Sequence, residues 1–109
     1  MAISMNNWNQ MFISEGNELR QAIRNADKSH SNETYIAVCE SLIKLLNAAL
    51  DKTSDDEECR KIKKVREHVS IGYSNLENAD SLAQVKETIN KCLDETFDLF
   101  DELKYWIGI

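Results

Sequence analysis

The chain has 109 residues, 42% of them apolar, which is enough to bury one core and too few for two ordinary domains. Nineteen acids against thirteen bases give a formal charge of −6, which disfavours nucleic acid or an anionic membrane as a direct partner and suits a basic protein. With no proline and only Gly16, Gly72 and Gly108, a turn-rich β fold is excluded in favour of helices joined by short polar loops.

The opening MAISMNNWNQMF lacks a positive region followed by an apolar run, so no signal peptide is expected. No stretch reaches eighteen apolar residues, so none should span a membrane. Cys39, Cys59 and Cys92 are widely spaced and form no C-x-x-C. Each falls on an apolar helical stripe, where free cysteine behaves as a small hydrophobe. That pattern suits a reducing, cytoplasmic setting and argues against a disulfide framework or metal site.

The first helical pattern runs from about Asn7 to Ala26, with Trp8, Met11, Phe12, Leu19, Ala22, Ile23 and Ala26 at helical spacing. Gly16 lies within it, either tolerated or permitting a close crossing. The polar segment Asp27 to Asn32 then supplies a cap. A second helix is predicted over Glu33 to Lys52, the most apolar segment, with Tyr35, Val38, Cys39, Leu42, Ile43, Leu46, Ala49 and Leu50 inward and Ile36 and Leu45 widening the stripe.

A third helix opens with Ser54 and Glu57 in the spacing of a capping box. Four acids, Asp55 to Glu58, precede five bases, Arg60, Lys61, Lys63, Lys64 and Arg66, in the order that the helix dipole favours. Its core side is Cys59, Ile62, Val65, Val69, Tyr73 and Leu76. The bases carry no interleaved aromatics and read as a solvated face rather than a nucleic-acid surface.

Asp80 or Ser81 can cap the last helix, predicted as one continuous element from Leu82 to Ile107. Its stripe is Leu82, Val85, Ile89, Cys92, Thr96, Leu99, Leu103 and Trp106, widened by Leu93, Phe97, Phe100 and Ile107. The expected architecture is therefore all-α: a single domain over 1–109, an antiparallel four-helix bundle with its longest helix at the C-terminus.

The other face of this last helix is the strongest functional signal. Glu87, Asp94, Glu95, Asp98, Asp101 and Glu102 lie on it, and between Cys92 and Leu103 there is no base. Asp94 and Asp98 are i,i+4 neighbours, as are Asp98 and Glu102, and each such like-charge pair destabilises a helix by about 0.2–0.5 kcal/mol. The acids also approach the negative end of the helix dipole. Two readings follow: a solvated face partly neutralised by the bases of the third helix, or a docking surface for a basic partner. A magnesium or manganese site would need carboxylates converging from at least two helices. Tyr105 and Trp106 are either packed against the first helix or exposed as anchors of the same interface.

Two stretches resemble enzymatic motifs. Glu57-Glu58 and the E-x-x-D of Glu95-Thr96-Phe97-Asp98 resemble the Mg²⁺-binding motifs of nucleotide pyrophosphohydrolases, but Lys61 stands where the third acid of E-E-x-x-E belongs. Arg24-Asn25 with His30 resembles the motif of HEPN ribonucleases, which would imply RNA cleavage by Arg24 and His30. Here that pair falls at the end of the first helix and in a loop, and an acidic chain is a poor RNA binder. His68 reads as a partly exposed helix residue.

The expectation is thus a non-catalytic binding module with no cofactor and no metal, monomeric or homodimeric. It would be an immunity or antitoxin-type inhibitor of a basic toxin, such as a nuclease, acting through Glu87, Asp94, Glu95, Asp98, Asp101, Glu102 and Tyr105. A phage-type inhibitor of a defence nuclease, or a small adaptor of a larger complex, are the alternatives.

Overall fold

The computed structural model describes residues 13–76, 78 and 81–100. These form four helices, α1 (Ile13–Ser29), α2 (Asn32–Lys52), α3 (Asp56–Leu76) and α4 (Leu82–Leu99), with no strand among the described residues. The all-α expectation holds. None of these helices is long and apolar enough to cross a membrane.

Local chemistry sets the helix ends. α1 continues past Ala26 to Ser29, and His30 then takes a left-handed φ of 44° while its N–H donates to Ala26 O. That conformation usually closes a helix on glycine or asparagine. Here the imidazole Nδ1 lies 3.0 Å from Tyr35 Oη, tying the turn to the next helix. Ser31 caps α2 in a capping box: its Oγ accepts from Thr34 N at 3.3 Å, and its N–H donates to Thr34 Oγ1 at 3.1 Å.

The start of α3 differs from the sequence expectation. Asp55, not Ser54, accepts the free N–H groups, from Glu57 at 2.8 Å and Glu58 at 3.2 Å. A carboxylate here both accepts two N–H bonds and meets the positive end of the dipole, which a hydroxyl does less well. Ser81 caps α4, its Oγ accepting from Gln84 N at 3.2 Å.

The far end of α4 is the main departure. Phe100 leaves the helix with φ −123° and ψ 84°, its N–H still donating to Thr96 O and its ring 1% exposed. The element read as continuous to Ile107 therefore ends at Leu99. Among the described residues α2 and α3, at 21 residues each, exceed α4 at 18. Met1 to Phe12, and with them Trp8, lie outside the described residues, as do Asp101, Glu102, Tyr105 and Trp106.

α2 is the hub of the fold. It packs against α1, α3 and α4, and α4 also packs against α3. Its eight buried residues include Val38, Cys39, Leu42, Leu45 and Leu46, all at most 1% exposed. Leu45, read from sequence as widening the stripe, is at its centre. The other helices add Leu19, Ala22, Ile23 and Ala26 from α1, Ile62, Val65, Val69 and Leu76 from α3, and Val85, Ile89, Cys92 and Leu99 from α4, in one cluster. Leu82 departs from the expected stripe and is 43% exposed.

Two polar contacts hold α2 to its neighbours: Lys44 Nζ to Glu18 Oε2 at 3.4 Å, and Arg66 Nη1 donating to Asn47 Oδ1 at 2.8 Å. At the α3–α4 crossing, a Cβ on the buried Gly72 would lie 3.0 Å from Thr88 Cγ2 and 3.3 Å from Cys92 Sγ. This glycine therefore allows the two helices that carry the acidic and basic faces to approach closely.

Candidate charged face of α3 and α4

α4 buries Val85, Ile89, Cys92, Thr96 and Leu99, which fixes the direction of every other side chain on the helix. Thr96, 0% exposed, is accommodated by donating its Oγ1 hydrogen to Cys92 O at 2.9 Å. At 100° per residue, Glu87, Asp94 and Asp98 point away from this stripe and form an outward ridge, and all three are exposed. None of the three forms an ion pair within the described residues. Lys91, also exposed, sits on the same ridge between Glu87 and Asp94, a base just upstream of the acidic run. Asp98 falls in the last turn of α4, which contains no basic residue.

Glu95 points elsewhere. It lies on the flank of α4 that faces α3, where its Oε2 accepts from His68 Nδ1 at 2.7 Å, with both side chains under half exposed. His68 and Glu95 border an open groove of about 470 Å³ whose other lining residues are Lys61, Lys64, Val65, Asp98 and Leu99. Val65 and Leu99 supply an apolar floor. Lys61 and Lys64 supply a basic wall from α3, and Glu95 and Asp98 an acidic wall from α4. Lys61 also reaches Glu57 Oε1 at 3.8 Å.

The acidic residues singled out by sequence are therefore divided. Glu87, Asp94 and Asp98 share the outward ridge, Glu95 turns into the groove, and Asp98 serves both. Asp101, Glu102 and Tyr105 lie outside the described residues. From sequence, Lys61 and Lys64 are among the third-helix bases that one reading sets against the acidic face, whereas His68 carries no role there. For His68 the signal was available in principle, since it flanks the stripe of Val65 and Val69 just as Glu95 flanks that of Cys92 and Thr96. Pairing the two requires knowing which levels of α3 and α4 meet, and periodicity within one helix carries no such information.

His30 bonds to Tyr35, which is 4% exposed, while Arg24 is exposed on α1. Glu57 and Glu58 belong to the first turn of α3, Glu57 paired with Lys61 and Glu58 accepting from Thr53 Oγ1 at 3.4 Å. No group of three or more potential metal-ligating side chains occurs among the described residues.

All three cysteines are free thiols. Burial pushes Cys39 up to about 12, with smaller contributions from Cys92 and Glu40, and pushes Cys92 up to about 11, with Glu95 adding to it. Such thiols are poor nucleophiles and act as packing groups. No known protein family, curated protein or solved structure matches this chain.

Proposed function

We propose that this chain is a small acidic binding module of the immunity or antitoxin type, which neutralises a basic toxin, for example a nuclease, without catalysis of its own. The observation that carries the reading is the outward ridge of α4. Glu87, Asp94 and Asp98 are exposed and without an ion pair among the described residues, and Asp98 sits at the helix end where the dipole disfavours an acid. A face that weakens its own helix is explained by a partner that supplies the missing positive charge. Toxic nucleases must approach phosphates and are commonly basic, so an acidic inhibitor gains association rate from electrostatic steering. By sequence the contact continues through Asp101, Glu102 and Tyr105.

The four helices, in this reading, alternate in direction as an antiparallel bundle. The short connections 30–31, 53–55 and 77–81 support that order, because such loops join neighbouring helices that reverse. The module would work in the cytoplasm as a monomer or homodimer, with no cofactor and no nucleic acid bound directly.

Capture from the source cell tests the proposal. The wild-type chain should retain a basic protein that a Glu87→Lys, Asp94→Lys, Asp98→Lys variant, folded by circular dichroism, does not. Equal retention by the two would exclude the ridge as the contact. A phage-type inhibitor of a defence nuclease rests on the same ridge and differs only in the captured partner.

An adaptor role within a larger assembly has its own support. Ile71 and Leu82, 53% and 43% exposed, are the large apolar side chains left open to solvent among the described residues, Ile71 in the C-terminal part of α3 and Leu82 at the start of α4. An adaptor would lose its partner on Ile71→Ser with Leu82→Ser and keep it on charge reversal.

A further inference from the structure

We infer that the partner of this face carries an acidic edge beside its basic one; this rests on the docking reading above and names the chemistry of what docks. A uniformly basic surface fits the α4 ridge, but it does not fit the groove beside that ridge. The groove has walls of opposite sign, Lys61 and Lys64 on α3 against Glu95 and Asp98 on α4, over the apolar floor of Val65 and Leu99. Asp98 belongs to both groove and ridge, so a partner that neutralises it lies against the lysine wall at the same time. A partner base placed over that wall would face the Lys64 ammonium, with Lys61, already bridged to Glu57, beside it, and such like-charge juxtaposition is a means of rejecting a wrong partner.

His68 reinforces the division. Its hydrogen bond to Glu95 Oε2 occupies one of the two groove acids from the α3 side. The acids left for a partner therefore lie on the outer edge of α4. The occupant that satisfies both walls is a segment, most simply one helix, with lysine or arginine along the edge that meets Asp94 and Asp98. It carries glutamate or aspartate along the edge that meets Lys64, and an apolar side chain between them over Val65 and Leu99. Two edges of opposite sign on one helix follow from residues three and four apart.

Two synthetic helical peptides of equal length test this against the full chain. One bears a lysine edge, a leucine row and a glutamate edge; in the other every glutamate is replaced by lysine. Binding is read by NMR titration of backbone amides at physiological ionic strength, where diffuse attraction to the net negative charge is screened within about 8 Å. The two-edged peptide should bind about tenfold or more tightly than the all-basic one and shift the amides of α3 and α4 around the groove. A Lys61→Glu, Lys64→Glu variant should reverse that order, provided its helical signal is retained; Lys64→Glu alone serves if it is not. Equal or tighter binding of the all-basic peptide to the wild type overturns the two-edged partner while leaving a basic partner on the ridge intact. Failure of both peptides to shift any α4 amide overturns both.

Discussion

Gly72, Cys39 and Cys92 show how little slack the core has where α4 meets its neighbours. Alanine at position 72 is favoured by helix propensity by about 1 kcal/mol, but its Cβ would meet Thr88 Cγ2 at 3.0 Å. Thr88→Ser removes that methyl and keeps the hydroxyl that donates to Gln84 O. Gly72→Ala should therefore be more favourable in the Thr88→Ser background by about 0.5 kcal/mol or more, read as the coupling in a double-mutant cycle of urea denaturation. Zero coupling would mean that the crossing is looser than it stands. The buried thiols make a second prediction. Both are raised in the folded chain, to about 12 and about 11 from the usual 9.0, so the protonated thiol is the form that folding favours. Their stabilising contribution is complete below about pH 8.5 and is lost as pH rises through the folded values. The urea midpoint of the wild type should fall more steeply between about pH 9 and 11 than that of a Cys39→Ala, Cys92→Ala variant; parallel curves would contradict this account of their burial.

At the scale of the elements, what periodicity can express was legible and what it cannot was not. The spacing of Val38, Leu42, Leu46 and Ala49 marks the inward face of α2 as the structure has it, and Ser81 was among the residues read as capping α4. Helix ends were less legible. Asp55 displaces Ser54 as acceptor at the start of α3, a choice between adjacent capping residues that spacing leaves open. The exit at Phe100 breaks a stripe that continues in sequence through Leu103 and Trp106, since an apolar pattern does not record where the backbone turns to bury a ring. Of the like-charge neighbours on α4, the Asp94–Asp98 pair survives this shortening, because both lie within the helix and outside the groove pairing of Glu95 with His68, while Glu102 lies outside the described residues. If their placement costs stability, Asp98→Asn should raise the urea midpoint, by about 0.2–0.5 kcal/mol in free energy, by removing the i,i+4 repulsion with Asp94 and a carboxylate from the last turn. A lowered midpoint would mean that Asp98 has a stabilising partner and that the ridge needs no functional explanation.

For the whole molecule, an α2-centred helical fold presents two charged helices side by side, α3 basic on one edge and α4 acidic on the other, held close by Gly72 and joined by His68 and Glu95. Composition foresaw the net charge, and the helix pattern foresaw the acidic face. Neutralisation by the bases of the third helix is one of the two readings the sequence offers, but which acids Lys61 and Lys64 face, Glu95 and Asp98 across the groove, depends on how α3 and α4 are levelled, and periodicity within one helix does not carry that. Glu87, Asp94 and Asp98 form no ion pair among the described residues, and the central claim is that the ridge they share steers a basic partner. The most direct measurement is the association rate constant with the captured partner as a function of ionic strength. The wild type should associate rapidly, at up to about 10⁸ M⁻¹s⁻¹ in low salt, and slow steeply as salt is added. The Glu87→Lys, Asp94→Lys, Asp98→Lys variant should associate at least about tenfold more slowly in low salt, with a shallower salt dependence. Identical rates and identical salt slopes for the two proteins would contradict the claim.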